Sequence, residues 1–188
     1  MVGEPLSVRA AGELNMGRLV VNAVIYQCAW FACVMGAAAR HPAIGIAVVA
    51  AAVLWHLRGA REPRRELLLI GIAIVAGTFF ESLLVASGWV RMEPAVLVGS
   101  ITPLWMVALW AAFATTLNVS LRALRRRYLL CALVAAVAAP LAYAAGVRLG
   151  ALQWERAPAA VLLIAIGWAL LLPLLMRAAL RFDGYAAP

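Results

Sequence analysis

The chain has few of the side chains that bind metal ions or carry out acid–base chemistry: two histidines, three cysteines and eight acidic residues in 188 positions. Cys28, Cys33 and Cys131 all lie in apolar runs, without the CxxC or cysteine–histidine spacing of a metal site. The motifs HExxH, GxSxG and Walker A, and the DxxxD motif of diphosphate–metal sites, are absent as well. We therefore predict no metal site and no cofactor, and the motifs assign no reaction.

Charged residues are also scarce. Only 13% of the residues are charged and 66% are hydrophobic, whereas soluble domains are about half apolar and about a quarter charged. This balance is typical of a membrane protein. The chain has no lysine, and its sixteen arginines give a net charge of +8. They stand in short clusters between apolar runs, as in cytoplasmic membrane loops, so we predict no nucleic-acid partner.

Six apolar runs divide the chain into segments of about the length of membrane spans. They predict an all-α, polytopic membrane protein with six transmembrane helices in a single domain, residues 18–176. A cytoplasmic segment, 1–17, precedes this domain, and a cytoplasmic tail, 177–188, follows it. The predicted spans are approximately 18–39, 42–57, 67–87, 103–121, 128–147 and 158–175.

The start of the fourth span is open to two interpretations. Thr102 and Pro103 resemble a helix N-cap followed by proline at the first helical position. A span beginning at Pro103 leaves residues 94–101 as a short half-helix at the outer membrane face. The alternative is one long helix kinked at Pro103.

The arginine positions predict the orientation of the chain in the membrane. With the N-terminus inside, twelve arginines fall on the cytoplasmic side and four on the outer side. An excess of arginine is typical of cytoplasmic loops. We therefore predict that both ends of the chain are cytoplasmic.

The third run contains a single acidic residue, Glu81. A charge in hydrocarbon is costly unless it is neutralised, paired or hydrated, so an intramembrane acid is a functional hypothesis by default. We expect a Glu81–Arg148 pair or, failing that, hydrogen bonds from Tyr143 or Trp105 to Glu81. These four residues and Ser82 form the predicted outer polar site. The alternative is a paired carboxylate with a structural role alone.

A second polar group is predicted toward the cytoplasmic face. It consists of residues near the ends of spans one, two and four, and its members either join the helices by hydrogen bonds or line a polar pocket that opens inward. The members are Asn22, His56, Thr115, Asn118 and Ser120.

Two further patterns concern helix packing. Gly71 and Gly77 on span three, and Gly146 and Gly150 on span five, permit close helix approach, so we expect these two spans to be neighbours. Four tryptophans inside spans one, four and six either pack in the core or form the walls of a groove for an acyl or prenyl chain. They are Trp30, Trp105, Trp110 and Trp168.

Several segments together carry a family resemblance: Asn22, AWFACVMGAA at 29–38, LWxxFAxTLNxSL at 109–121 and PLAYxxGxRLG at 140–150. Over residues 22–173 the chain resembles a domain-of-unknown-function family of small six-span bacterial inner-membrane proteins. The resemblance implies a multi-pass protein of the bacterial inner (cytoplasmic) membrane.

The resemblance also implies an acidic residue at the position of Glu81. Family members tend to be encoded near enzymes that modify membrane fatty acids, which implies a connection with lipid chemistry. Members often have histidine where this chain has Val119, so a role that needs that histidine does not carry over.

These observations favour a protein that binds, or helps to modify, a membrane lipid or acyl chain, with membrane lipids as its partners. An aromatic groove between spans one, four and five would hold the chain, and the Glu81 site would meet its polar head. One alternative is a structural subunit bound to another membrane protein. A second is a small proton-coupled transporter in which Glu81 titrates. Whether the protein is an enzyme stays open.

Overall fold

Helices make up most of the described chain. The computed structural model describes residues 16–93 and 102–186. The predicted half-helix at 94–101 and most of the predicted segment 1–17 lie outside the described residues. The helices are α1 Met16–Ala38, α2 Pro42–Arg58, α3 Pro63–Ala86, α4 Leu104–Leu117, α5 Tyr128–Arg148 and α6 Ala157–Arg181. The all-α prediction is confirmed.

Short elements connect some of these helices. A 3₁₀ turn, Arg122–Leu124, lies between α4 and α5. Strand β1, Val90–Met92, follows α3, and strand β2, Leu152–Trp154, follows α5. The two strands pair antiparallel, with Arg91 opposite Gln153, so they tie the α3–α4 connection to the α5–α6 connection.

Prolines and turns fix several helix boundaries. Pro42 and Pro63 begin α2 and α3, where the missing backbone N–H has no helical partner to lose. Pro103 is the N-cap of α4, one position before its predicted place in the first turn. The helix ends at Leu117 and not at Leu121, because the chain turns there and Leu121 N–H bonds back to Thr116 O.

Of the six α-helices in the described residues, four are long and apolar enough to cross a membrane: α1, α3, α5 and α6. Helix α2 has 17 residues and α4 has 14. At 1.5 Å per residue α4 is about 21 Å long, shorter than a hydrocarbon core of about 30 Å. Eleven of its residues are buried, and it packs against α1, α2, α3 and α6. Helix α4 is therefore the central helix of the bundle.

The helices alternate in direction. Side chains near the starts of α1 and α3 meet residues at the ends of α2 and α4: Asn22 bonds Thr115 O, and Glu66 meets both His56 and Asn118. We call this end of the bundle the network end. The opposite end carries β1 and β2 and is called the hairpin end.

The sequence predicted that the third and fifth spans are neighbours, but α3 and α5 pack mainly against other helices. Helix α3 packs against α4 and α6, and α5 packs chiefly against α6, so α3 and α5 share no extensive contact in the described chain. Gly77 faces the ring of Trp110 on α4, and Gly146 faces Leu152. These small residues admit large side chains from other elements. A cleft separates α1 from α5, and residues of α4 form its base.

Candidate functional site

The Glu81 carboxyl lies in the penultimate turns of α3 and is fully buried. Its Oε1 accepts two hydrogen bonds, one from the Tyr143 hydroxyl on α5 and one from Trp110 Nε1 on α4 at 3.2 Å. Its Oε2 has no hydrogen-bond partner. The carboxyl is thus held from one side, and its second oxygen is left unmatched in a buried position.

The expected Glu81–Arg148 pair is not formed. Arg148 is the last residue of α5 and is exposed, and the ion pairs of the described residues do not include one between it and Glu81. It lies five positions beyond Tyr143, about 7.5 Å farther along the helix axis. Its Cα therefore lies farther toward the hairpin end than the contact between Tyr143 and Glu81.

Of the two hydrogen bonds expected in place of that pair, the one from Tyr143 is present. The one from Trp105 is replaced by Trp110, which is five positions later on the same helix. Ser82 is not part of the carboxyl site, because its Oγ accepts from the backbone N–H of Thr102 at 3.4 Å.

Glu81 also belongs to the wall of the cleft between α1 and α5, which has a volume of about 940 Å³. Trp110 stacks on Trp168 of α6 at a centroid distance of 4.7 Å, and Phe113 meets Trp168 edge-on at 5.1 Å. We call this space the aromatic cleft. Its aromatic wall residues are Tyr26, Trp30, Phe31, Trp105, Trp110, Phe113, Tyr143 and Trp168.

The aromatic cleft runs along most of the bundle and opens sideways. Its lining extends from Leu152 at the hairpin end to Leu124 near the network end. The exposed lining side chains on its two edges include Phe31 (45%), Val134 (41%) and Leu141 (65%). Since these edges are mostly apolar, with Gln27 and Arg148 as exposed polar members, the opening faces the same surroundings as the apolar helix surfaces.

Two further unmatched polar atoms belong to residues that line the same cleft. Trp105 Nε1 and Trp168 Nε1 are both buried, and neither has an acceptor. A buried donor or acceptor without a partner costs about 1–3 kcal/mol. Glu81 Oε2, Trp105 Nε1 and Trp168 Nε1 are therefore buried atoms whose hydrogen bonds are missing.

The inward polar group divides into two clusters. In the first, Asn22 Nδ2 donates to Thr115 O at 3.2 Å, and Asn22 Oδ1 accepts from Ser120 Oγ at 2.8 Å. The Thr115 hydroxyl bonds Ala112 O within its own helix. This cluster joins α1 to the end of α4.

The second cluster is centred on Glu66, which lies between the predicted spans 42–57 and 67–87. Glu66 is fully buried in the first turn of α3. Its Oε2 meets His56 Nε2 at 2.7 Å, and its Oε1 accepts from Asn118 Nδ2 at 2.6 Å and from the backbone N–H of Gly184 at 2.7 Å. The available signal was an acid in the first turn after Pro63, the position that a helix N-terminus favours.

The segment after α6 closes this cluster. Asp183 Oδ2 accepts from Arg125 Nη1 at 2.7 Å, and Arg125 also bonds Asn118. The Tyr185 hydroxyl donates to His56 O.

Two titratable groups of this segment have shifted pKa values. Burial acts to raise the pKa of Asp183, but hydrogen bonds from Arg125 and the Tyr185 N–H, together with the charge of Arg125, outweigh burial and lower that pKa. Burial raises the pKa of Tyr185 to about 12.

The two polar regions differ in what they can do. Around Glu66 both carboxyl oxygens are hydrogen-bonded, so this cluster is suited to fastening the helix ends and the segment after α6. Glu81 has an unmatched oxygen and belongs to the lining of the aromatic cleft, so its site is suited to binding. In the described residues, no group of three or more His, Cys, Asp or Glu side chains could hold a metal ion.

Comparison with known proteins adds a family and no named relative. No curated protein and no solved structure matches the chain. The family model described as "Protein of unknown function (DUF2878)" matches residues 19–174. This range contains α2 to α5 entirely, most of α1 and α6, and every residue of the Glu81 site. The chain, whose apolar helices are those of a multi-pass membrane protein, belongs to this family of proteins of unknown function.

Proposed function

We propose that this protein binds a membrane lipid, with the hydrocarbon chain in the aromatic cleft and the polar end at Glu81, and that it holds this lipid for chemical modification. The observation that carries the proposal is the unmatched Glu81 Oε2 in the wall of an apolar space of about 940 Å³. A buried polar atom of this kind is stabilised when a ligand supplies the missing hydrogen bond.

The shape of the cleft supports a hydrocarbon chain as its occupant. On α5 the lining extends from Val134 to Arg148, about 21 Å at 1.5 Å per residue. One leaflet of a bilayer has a hydrocarbon thickness of about 15 Å. The cleft is therefore long enough for a lipid chain, and its exposed apolar edges allow the chain to enter sideways from the bilayer.

The packing between the two polar regions favours binding over transport. A proton-coupled carrier would need a hydrated path from Glu81 to the Glu66 cluster. On α4, Trp110 and Phe113 lie between those levels, and both contact Trp168. The faces of these packed rings are apolar and give little support to a chain of water molecules along that route.

The proposal includes six membrane crossings with both ends of the chain inside. The alternating helix directions support this topology, because α1, α3 and α5 begin at the network end. In the described chain, eleven arginines lie toward the network end and four toward the hairpin end. By the positive-inside rule the network end faces the cytoplasm, and the membrane is the bacterial inner membrane. Helices α2 and α4 are short for spans, but α4 is enclosed by longer helices.

Native mass spectrometry with lipidomics on gently extracted protein tests the proposal. Wild type should retain an acyl or prenyl lipid, and Glu81→Gln should retain less. Ala138→Phe places a ring in the cleft at a lining position, whereas Val137→Phe, one residue away, is outside the lining. Loss of lipid in Ala138→Phe but not in Val137→Phe would locate the chain in the cleft. Equal retention in all four proteins would refute the proposal, and a protein partner in place of lipid would favour a structural subunit.

A further inference from the structure

A groove between the start of α1 and the end of α2, at the network end, carries positive charge. It has a volume of about 430 Å³, and its lining includes Arg18 and Arg58 together with Val21 and Trp55. The two arginines are close neighbours, because Arg18 Nη2 donates at 2.5 Å to the backbone oxygen of Gly59, the residue after Arg58. We call this space the arginine groove.

No acidic side chain lines the arginine groove in the part of the chain that the structure describes. Three acids of the network end are each paired elsewhere: Glu62 with Arg65, Glu66 with His56, and Asp183 with Arg125. The ion pairs of the described residues include neither Arg18 nor Arg58. A groove lined by charge of one sign attracts ions of the opposite sign, so this groove is suited to an anion.

Both guanidinium groups can meet the same anion. The protein holds Arg18 in place, since its guanidinium bonds Gly59 O and lies 4.6 Å from the centre of the Tyr185 ring. A guanidinium has five N–H donors, so further donors remain for a ligand. Arg58 is exposed at the last position of α2, and its Cα lies about 3.8 Å from that of Gly59. Its flexible side chain therefore reaches a group beside Arg18.

The surface of α2 next to the arginine groove is apolar and indicates which anion it takes. Trp55 lies one turn from Arg58 toward the hairpin end, and the same exposed face continues at intervals of three or four residues through Ala51, Ala47 and Ile44. An indole just inside a basic helix end is typical of the membrane interface. A molecule with a negative head and a hydrocarbon chain matches both surfaces, whereas free phosphate matches the groove alone.

We propose that the arginine groove binds the head group of an anionic phospholipid whose acyl chain lies along the apolar face of α2. Basic pockets between helices on the cytoplasmic side of membrane proteins bind such head groups. A zwitterionic phospholipid is disfavoured, because the two arginines repel its ammonium group. The site is separate from the aromatic cleft, which lies between α1 and α5, so the proposal does not rest on the proposed function.

Brominated lipids test this site on the whole protein in phosphatidylcholine nanodiscs. Phosphatidylglycerol and phosphatidylcholine with identical brominated chains are each titrated by mole fraction. Bromine quenches tryptophan on contact, and the Trp55 signal is the difference between wild type and Trp55→Phe. Phosphatidylglycerol should bind between about fivefold and 25-fold more tightly than phosphatidylcholine, since each arginine near the membrane surface contributes about fivefold.

Two variants connect this preference to the arginine groove. Arg58→Gln removes one charge from the groove and should reduce the preference about fivefold. Arg177→Gln is the matched control, because Arg177 is exposed on α6 toward the same end of the bundle but lies outside the groove lining. It removes the same charge from the protein and should keep the wild-type preference.

The other outcomes each contradict the proposal. Equal quenching of wild-type Trp55 by the two lipids would show that the groove does not select an anionic head. Equal losses in Arg58→Gln and Arg177→Gln would show a general attraction between the basic end and the membrane. Displacement of phosphatidylglycerol by millimolar inorganic phosphate at constant ionic strength would assign the groove to a soluble anion. Ala138→Phe, which alters the aromatic cleft, should leave the preference unchanged, so failure here is distinguishable from failure of the proposed function.

Discussion

The Tyr143 hydroxyl donates a hydrogen bond to Glu81 Oε1 and so connects α5 to α3, two helices that share no extensive packing. This bond stabilises a buried carboxyl on the far side of the aromatic cleft. Tyr143→Phe should destabilise the protein by about 1–3 kcal/mol, because one partner of the carboxyl is lost. It should also reduce lipid retention. Thermal unfolding in detergent and native mass spectrometry measure the two effects.

Tyr128→Phe is the control for that substitution, since Tyr128 is 41% exposed at the start of α5. Its unfolding temperature and its lipid retention should match those of wild type. If Tyr143→Phe behaved in the same way as Tyr128→Phe, the Tyr143 bond would have no role in positioning Glu81.

Gly77 gives Trp110 the space it needs to reach Glu81. A Cβ at Gly77 would lie 2.0 Å from Trp110 Cδ2, so Gly77→Ala should displace the indole, lengthen its bond to Glu81 and cost about 1–3 kcal/mol. A Cβ at Gly71, on the same helix, would meet no atom within 4 Å. Gly71→Ala should therefore raise stability by up to about 1 kcal/mol. Chemical denaturation of both variants in mixed micelles tests the difference in sign.

The helices were predictable from the sequence because hydropathy and proline positions act locally along the chain. The hydrogen-bond partners of Glu81 were not predictable from the sequence, because they depend on how α3, α4 and α5 are rotated about their axes. Charge alone favoured Arg148 as the partner of Glu81. However, Arg148 lies at a helix end, from which a long side chain can reach the polar membrane surface. Tyr143 is more than one turn deeper and meets the carboxyl at its own level.

Glu66 was missed for a related reason. It stands among arginines in the segment 58–66, where composition indicates a solvated loop. Its burial depends on Asn118 and Gly184, which are 52 and 118 positions away in the chain. Contacts over such distances follow from the assembled bundle and leave no local pattern in the sequence.

The proposed topology predicts which residues are reached from each side of the membrane. In a cysteine-free background, Gln153→Cys in β2 should react with a membrane-impermeant maleimide in intact bacterial cells. Arg127→Cys, before α5, should react after permeabilisation alone. Both positions are exposed in the bundle, so reactivity reports the side of the membrane. Labelling in the reverse order, or of both in intact cells, would contradict the proposed orientation.

The Glu66 cluster should matter for stability more than any other acid–base contact at the network end. Glu66→Leu leaves His56, Asn118 and the Gly184 N–H without their shared acceptor, so a loss of about 3–5 kcal/mol is expected. Glu62, which pairs with Arg65 while both side chains are about half exposed, is the control. Glu62→Gln should change the free energy of unfolding by at most about 1 kcal/mol. Similar losses in the two variants would argue against the Glu66 cluster as a fastening point.

The segment after α6 should be held by a charge that persists to low pH. The Asp183 pKa is lowered from an ordinary value of 3.8, so the folded state favours the ionised carboxylate. This contribution is fully present above pH 3.8 and is lost as the pH falls through the lower folded-state pKa. The stability difference between wild type and Asp183→Asn should therefore be constant from neutral pH to about pH 5 and shrink only below 3.8. Thermal unfolding of both proteins across this range measures it, and a difference that disappears near pH 6 would show that Asp183 is not the group that holds the segment.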